Sequence, residues 1–245
     1  MLSKSKILLK VKDWTQIISP HLCIFCEGEA LLSNNPATCL KCDTVQWQNH
    51  RCPRCQRACH KHELEKSRCY RCKSIHYPFK TFQSIGPYRK TLRKAILRAK
   101  FHQDPLSIRF LNRQSLHLEL PSDPEIHWSY VPSAPKRLKE RGSPQQHTPL
   151  MFEKLRKIHQ KTFTPLLIKT STRRPQIELN EKERRQGLDE SLTYCGPSTP
   201  PKTVILFDDV WSTGTTLNSA ARVLKSHDIQ NIHIVTLAFN DLTAK

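Results

Sequence analysis

Eight cysteines in four C-x-x-C pairs constrain the fold of the N-terminal third of this 245-residue sequence more than any other feature. The spacing repeats, because twelve residues separate Cys26 from Cys39 and thirteen separate Cys55 from Cys69. Two such pairs complete a tetrahedral site of four thiolates, the coordination that structural Zn²⁺ prefers. We therefore predict two structural zinc ions with these ligands: Cys23, Cys26, Cys39, Cys42, Cys52, Cys55, Cys69 and Cys72.

The spacing leaves alternatives open for this segment. Adjacent pairs can share an ion, but pairing the first with the third and the second with the fourth satisfies the same spacing. Cys59, His60 and His62 lie between the last two pairs, either as substitute ligands or as surface residues. A disulfide framework is the competing interpretation, and it requires an oxidising compartment. The apolar run at residues 7–9 is too short for a signal peptide, and no stretch of about 18 apolar residues predicts a membrane span, so we expect a cytoplasmic protein.

A strand, a loop and a helix follow one another near the C-terminus. The apolar run at residues 204–207 predicts a buried parallel strand, and Asp208 and Asp209 follow it, where α/β sheets bind ligands. An amphipathic helical pattern begins at Leu217, and backbone N–H groups at a helix N-terminus bind phosphate. The predicted phosphate loop between them is small and rich in hydroxyls: Ser212, Thr213, Gly214, Thr215 and Thr216.

The two acids beside this loop would repel a phosphate unless they bind sugar hydroxyls or Mg²⁺. A ribose with its 5′-phosphate in the loop would bring its 2′ and 3′ hydroxyls to Asp208 and Asp209. The alternative is a helix N-terminus after a buried strand, with both acids merely solvated. We favour a sugar-phosphate site because the acids, the hydroxyls and the glycine stand together in one short segment.

Residues 205–217, ILFDDVWSTGTTL, resemble the phosphoribosyl-pyrophosphate motif of type I phosphoribosyltransferases. Together with the cysteine pairs, the chain is similar to the ComF family of competence proteins over residues 20–240. The likeness includes residues 86–101 and the following positions: Val131, Pro132, Arg137, Arg141, Gly142, Arg173, Gln176, Leu179 and Arg184. The chain departs from the family after Gly142, where Ser-Pro-Gln replaces the usual Phe-Asn-Gln, and at Gly187, where the family often has Asn.

The resemblance implies an α/β fold of the type I phosphoribosyltransferase kind, a mostly parallel sheet with helices on both faces, plus a small zinc-ribbon-like N-terminal segment. Residues 1–79 would form the cysteine-rich zinc-binding segment and residues 80–245 the phosphoribosyltransferase-like domain. The loop after Val131 would be the pyrophosphate loop, with Lys136, Arg137 and Arg141 on the ligand. Residues 170–191 would form a flap over the site, although such a polar stretch is equally typical of an ordinary loop.

The net charge of +19 is uneven, with +7 in residues 1–79, +12 in residues 80–200 and zero in residues 201–245. Such an excess favours a polyanionic partner, whereas the alternative is a solvated basic surface. Residues 88–101 predict an amphipathic helix on an apolar stripe of Leu92, Ile96 and Ala99. Its basic side chains are a candidate DNA-binding face: Arg89, Lys90, Arg93, Lys94, Arg98 and Lys100.

Three functions compete. The ComF resemblance implies a binding protein of DNA uptake in natural transformation, with phosphoribosyl pyrophosphate, Mg²⁺ and single-stranded DNA as ligands and other DNA-uptake or recombination proteins as partners. The second is an active phosphoribosyltransferase on an unidentified acceptor, although the sequence reveals no nucleobase pocket. The third, a ligand-sensing regulator, is weakened because no helix-turn-helix is visible. The sequence favours the first and leaves catalysis undecided.

Overall fold

The structure is a computed structural model that describes residues 22–28, 38–43, 52, 54–55, 64–65, 68–69, 72, 76–140, 146–169 and 192–240. The strands in these ranges are β1 Leu64–Glu65, β2 Arg68–Cys69, β3 Thr81–Pro87, β4 His127–Tyr130, β5 Leu167–Lys169, β6 Leu192–Tyr194, β7 Thr203–Trp211 and β8 Asn231–Phe239. The helices are α1 Leu40–Asp43, α2 Lys90–His102, α3 Pro105–Gln114, α4 Pro135–Glu140, α5 His147–Met151, α6 Glu153–Ile158 and α7 Thr215–Ser226, with a 3₁₀ turn at Ser115–His117.

A four-stranded parallel sheet in the order β3-β8-β7-β4 forms the centre of the molecule. The predicted strand at residues 204–207 is the buried first half of β7, which lies between β8 and β4. β7 continues to Trp211 because β8 runs beside it to Phe239 and keeps its backbone paired. Asp208 therefore lies inside the strand, opposite Thr236, whereas the sequence placed it at the C-terminal end of the strand.

Apolar side chains cover both faces of the sheet, as the predicted fold class requires. On one face, Ile205 and Phe207 belong to a core cluster with Ile96 of α2 and Phe110 of α3. On the other face, Val204 and its neighbours pack with α7 and with the β5–β6 hairpin. Because β7 alternates its side chains between these two clusters, the mostly parallel sheet with helices on both faces is confirmed.

The first cysteine-rich segment shares the core of the main sheet. Cys23, Phe25 and Cys42 belong to the same apolar cluster as α2 and α3, and the ring centroid of Phe25 lies 5.0 Å from that of Phe110. Residues 22–43, where described, thus pack onto the helices of the larger unit. The division of the chain at residue 79 stays a prediction, with β3 beginning at Thr81.

The basic helix predicted for residues 88–101 is confirmed as α2, with shifted limits. α5 and α6 meet at Phe152, and β8 is buried from Ile232 to Phe239. Among the helices of the described residues, none combines the length and hydrophobicity needed to cross a bilayer.

Candidate functional site

A cleft of about 400 Å³ opens at the carboxyl edge of the parallel sheet, where β4 and β7 end and α7 begins. This is the edge at which open α/β sheets bind their ligands. The side chains on its walls include two acids, two lysines and two hydroxyls: Asp208, Asp209, Lys100, Lys169, Ser212 and Thr216. The sequence predicted the acids and hydroxyls of this set, and the tertiary structure adds both lysines.

The two carboxyl groups of the cleft sit on adjacent residues of β7 and are half-buried. The backbone N–H of Asp209 donates to Oδ1 of Asp208 at 2.8 Å. Burial raises the pKa of Asp208 well above its usual range, and the charge of Asp209 raises it further, whereas Lys100 and Lys169 oppose the rise. Ionised Asp208 thus loses hydration in this position, and a strongly raised carboxyl pKa in a cleft is typical of a functional group.

Lys100 reaches this cleft from α2 and forms an ion pair with Asp209. The two side chains are only 16% and 18% exposed. The structure directs the Lys100 side chain to the cleft, because Lys100 follows Ile96 by four residues and lies on the apolar stripe of the helix. Its assignment to the DNA-binding face stays a prediction. The four-residue spacing from Ile96 in the sequence would have predicted that Lys100 lies on the side of α2 that faces the sheet.

The loop before α7 depends on a single glycine. Gly214 has a φ of 81°, and a Cβ at this position would overlap the indole of Trp211. The Trp211 indole is itself held against Phe82, with ring centroids 4.6 Å apart. Thr213 Oγ1 lies 3.0 Å from Thr215 Oγ1, and both residues are exposed. Gly214, the N-cap residue of α7, has no side chain to cap the helix, whereas Thr213 Oγ1 accepts from the Thr215 N–H at 3.4 Å. A helix N-terminus of this kind suits an anion.

The predicted pyrophosphate loop is described in part. Val131 and Pro132 are buried after β4, and Ser133 and Ala134 line the cleft. Lys136 and Arg137 lie on α4, which begins directly after the cleft wall. Arg141 and the flap predicted at residues 170–191 lie outside the described residues. The roles of these three basic residues therefore stay predictions.

The remaining basic residues of α2 divide into two groups. Lys94 Nζ donates to the Phe25 carbonyl and Arg98 Nη1 to the Ile24 carbonyl, each at 2.6 Å. Arg98 Nε also lies 3.2 Å from the Asp104 carboxylate. By contrast, three residues are exposed at the start of the helix: Arg89, Lys90 and Arg93, the last with its guanidinium 6.0 Å from the Tyr88 ring centroid.

The eight predicted zinc ligands form two groups of four sulfur atoms, one from Cys23 to Cys42 and one from Cys52 to Cys72. Within each group the four sulfurs lie within 4.8 Å of one another. The contacts between C-x-x-C pairs are 3.7 Å in the first group and 3.8 Å in the second. A tetrahedron with Zn–S bonds of about 2.3 Å has edges of about 3.8 Å, so the donors fit Zn²⁺. Adjacent pairs combine, and the crossed pairing is not formed.

The pKa values of several cysteines in the two groups are shifted from the ordinary value of a thiol. Burial raises the pKa of Cys42 and of Cys72 to about 12, whereas a hydrogen bond with Cys55 lowers the pKa of Cys52 to about 4. A zinc ion would displace the remaining thiol protons and leave no open coordination position, so its role would be structural.

The second group is joined to the phosphate loop through aromatic rings. Arg54 lies between two of its cysteines and donates to the carbonyls of Tyr77 and Lys80 at 3.1 and 3.0 Å. The rings of Tyr77 and Phe79 contact Trp211, with centroids 6.3 and 5.6 Å away. Trp211 in turn packs on Gly214, so these rings connect the second cysteine group with the loop before α7.

Residues 172–244 match a family model described as the phosphoribosyl transferase domain. The matched segment contains β6, β7, α7 and β8, and so carries both acids and the whole phosphate loop. No curated protein matches the chain. The matched segment is thus similar to a phosphoribosyl transferase domain, and the mostly parallel sheet with helices on both faces is consistent with the type I phosphoribosyltransferase fold. Two four-cysteine groups precede it.

Proposed function

We propose that the chain binds phosphoribosyl pyrophosphate together with Mg²⁺ in the cleft at the carboxyl edge of its sheet. The loop from Ser212 to Thr216 holds the 5′-phosphate, and Asp208 and Asp209 accept hydrogen bonds from the ribose hydroxyls. Lys136, Arg137 and Arg141 belong on the pyrophosphate. The observation that carries this proposal is the convergence of a helix N-terminus, two carboxyl groups and two lysines on one cleft.

The electrostatics of the cleft support a ligand that is both anionic and rich in hydroxyls. Asp208 is half-buried beside a second acid, and Lys100, Lys169 and the Asp209 N–H compensate its ionised form only in part, so its pKa stays raised. Ribose hydroxyls would donate hydrogen bonds to these carboxylates, and Mg²⁺ would balance their charge against that of the pyrophosphate. A bare phosphate would satisfy the loop but would offer the acids no hydrogen-bond donor.

Titration calorimetry with phosphoribosyl pyrophosphate tests this proposal. We expect saturable binding in the presence of Mg²⁺ and affinity at least about 10-fold weaker after Mg²⁺ is chelated, because oxygen-rich pyrophosphate beside two carboxylates needs a bridging cation. Ribose 5-phosphate should bind more weakly than the full ligand. Absence of heat with both sugars, in protein shown to be folded, would contradict the proposal.

We further propose that the chain is a cytoplasmic protein of the competence type that handles single-stranded DNA during natural transformation, with other DNA-uptake or recombination proteins as partners. The support is the ComF-like combination of cysteine pairs with the phosphate motif and the basic excess of residues 80–200. The exposed start of α2 offers Arg89, Lys90 and Arg93 for phosphate contacts. Such contacts dominate sequence-independent binding of nucleic acids.

A basic groove offers a second surface for the same partner. It has a volume of about 830 Å³ and lies between residues 76–80 and the end of α7. Its described walls hold His76, Lys80, Arg222 and Lys225 beside the Tyr77 ring, and none of the described wall residues is acidic. Basic side chains interleaved with an aromatic ring suit single strands, whose bases stack on such rings.

Binding of a single-stranded oligonucleotide should depend steeply on salt and fall when Arg89, Lys90 and Arg93 are all changed to Gln. Fluorescence anisotropy at several salt concentrations measures both effects, and each lost phosphate contact should reduce the slope by about 0.7. A matched control removes three exposed lysines elsewhere: Lys139, Lys154 and Lys157. If the control variant lost as much affinity for the oligonucleotide, binding would depend on the net charge of the protein and not on the start of α2. If the affinity for the oligonucleotide fell only when Lys80, Arg222 and Lys225 were neutralised, the groove would be the DNA-binding site instead.

The second candidate function is transfer of the phosphoribosyl group to an acceptor. It is favoured by the match to the phosphoribosyl transferase domain over the segment that forms the cleft. Release of pyrophosphate from phosphoribosyl pyrophosphate, measured with and without candidate nucleobases and amines, separates the two functions. Binding without release supports the first, and acceptor-dependent release supports the second.

A further inference from the structure

Lys100 is a cation on the core-facing stripe of α2 and reaches the ligand cleft from the opposite side to the phosphate loop. α7 packs on one face of the sheet and α2 on the other, as their membership in separate apolar clusters shows. Asp209 of β7 lies between them and pairs with Lys100. The cleft thus has the loop at one end and an ammonium group at the other, with the acids in the middle.

We propose that Lys100 binds the pyrophosphate group of the ligand, and that Asp209 is the partner that holds its charge while the cleft is empty of ligand. This inference rests on the proposed function and names a further residue of the same site. A ribose whose 5′-phosphate lies in the loop and whose hydroxyls face the acids directs its opposite end, which carries the pyrophosphate, towards α2. Lys100 is the cation that α2 supplies there.

When the ligand replaces the ion pair between Lys100 and Asp209, neither charge is left unpaired. Both side chains of the ion pair are mostly shielded from water, so removing one partner alone would be costly. The ligand provides a replacement for each: pyrophosphate oxygens accept from Lys100, and ribose hydroxyls donate to Asp209. A ligand with only one of these groups breaks the pair without compensating both members. The ion pair therefore favours a ligand that has hydroxyls and pyrophosphate together.

The first cysteine group holds Lys100 in place. Lys94 and Arg98, six and two residues before it, donate to the carbonyls of Phe25 and Ile24 within that group. These contacts fix the last two turns of α2 against a segment that packs in the core. A ligand-binding side chain whose helix is fixed in this way loses little conformational freedom on binding.

Three probes in the presence of Mg²⁺ test the proposal: phosphoribosyl pyrophosphate, inorganic pyrophosphate and ribose 5-phosphate. In Lys100→Gln, we expect affinity for the first two to fall about 10- to 100-fold, the range for one charge-assisted hydrogen bond. Affinity for ribose 5-phosphate should not fall by more than about 3-fold, because this ligand has no pyrophosphate for Lys100 to bind. Lys100→Arg should restore part of the pyrophosphate affinity. Lys154→Gln removes an exposed lysine on α6 and should match the wild type.

The outcomes separate this inference from the function on which it rests. A folded wild-type chain that binds neither phosphoribosyl pyrophosphate nor pyrophosphate overturns both. Wild-type binding that Lys100→Gln leaves unchanged overturns the role of Lys100 alone, as does an equal loss for ribose 5-phosphate. Thermal unfolding is measured for each variant, and if Lys100→Gln does not fold, Lys100→Met, which keeps the apolar stem of the side chain, decides by the same criteria.

Discussion

Replacing Asp208 and Asp209 together by Asn should weaken the binding of phosphoribosyl pyrophosphate with Mg²⁺ by about 100-fold or more, while the chain stays folded. The loss is large because the amides keep the shape of both side chains but cannot balance Mg²⁺ or accept as charged groups. The fold should survive because both side chains lie at the cleft and an amide oxygen at position 208 can still accept from the backbone N–H of residue 209. The melting temperature should fall, because Lys100 loses its charged partner Asp209. Titration calorimetry and thermal unfolding measure the two effects.

The single change Asp208→Asn should also stabilise the ligand-free chain at neutral pH. Burial raises the pKa of Asp208, so the folded chain binds this proton more tightly than the unfolded chain does. The group therefore contributes stability below the ordinary carboxyl pKa near 4, and that contribution is lost as pH rises through the raised folded pKa. The amide stays neutral throughout. The increase in melting temperature should appear above that pH window and vanish below it.

Thr215→Ala is the matched control for the site, because the loop would keep its backbone N–H groups and lose only one exposed hydroxyl. Its affinity should fall by less than about 10-fold. Unchanged affinity in the double Asp variant would refute the assignment of the acids to the ligand. Unfolding of that variant would mean that the acids are structural, and the ligand argument would then depend on the loop alone.

Protein purified without added metal should contain two zinc ions per chain, and Cys42→Ser should lose one of them. We expect this variant to lower the melting temperature more than any other change proposed here. The reason is that Cys23 and Cys42 belong to the main core cluster, so loss of the first ion exposes part of that core. Binding of structural zinc is worth about 10–16 kcal/mol in small domains, comparable to the whole stability of about 5–15 kcal/mol of a typical domain.

Cys195→Ser provides the control for the zinc prediction, because Cys195 is exposed and lies outside both four-sulfur groups. It should keep two ions and the wild-type melting temperature. Elemental analysis and thermal unfolding of the three proteins decide the matter. Disulfides within the C-x-x-C pairs of a reduced preparation, or two ions retained by Cys42→Ser, would contradict the assignment.

The sequence by itself determined the features that depend on short spacing. Four C-x-x-C pairs define two sulfur sites because each pair brings its own two ligands together through a single turn of backbone. The apolar run of β7, the acids after it and the small loop before α7 likewise lie within one short stretch, residues 203–217. Such local patterns depend on neighbouring residues alone, so the parallel strand and the position of the loop before α7 were predicted correctly. Phosphate binding by that loop stays a prediction.

Only the tertiary structure decided which distant residues meet. Adjacent cysteine pairs combine, and the described residues 22–28 and 38–43 pack on α2 and α3, whereas the spacing allowed either pairing. Lys94 and Arg98 donate to that segment and Lys100 pairs with Asp209, although all three carry the same charge on the same helix as Lys90 and Arg93. A basic residue pairs with whatever acceptor the packing of its helix brings within about 3 Å, and that packing depends on contacts between parts of the chain that are far apart in sequence.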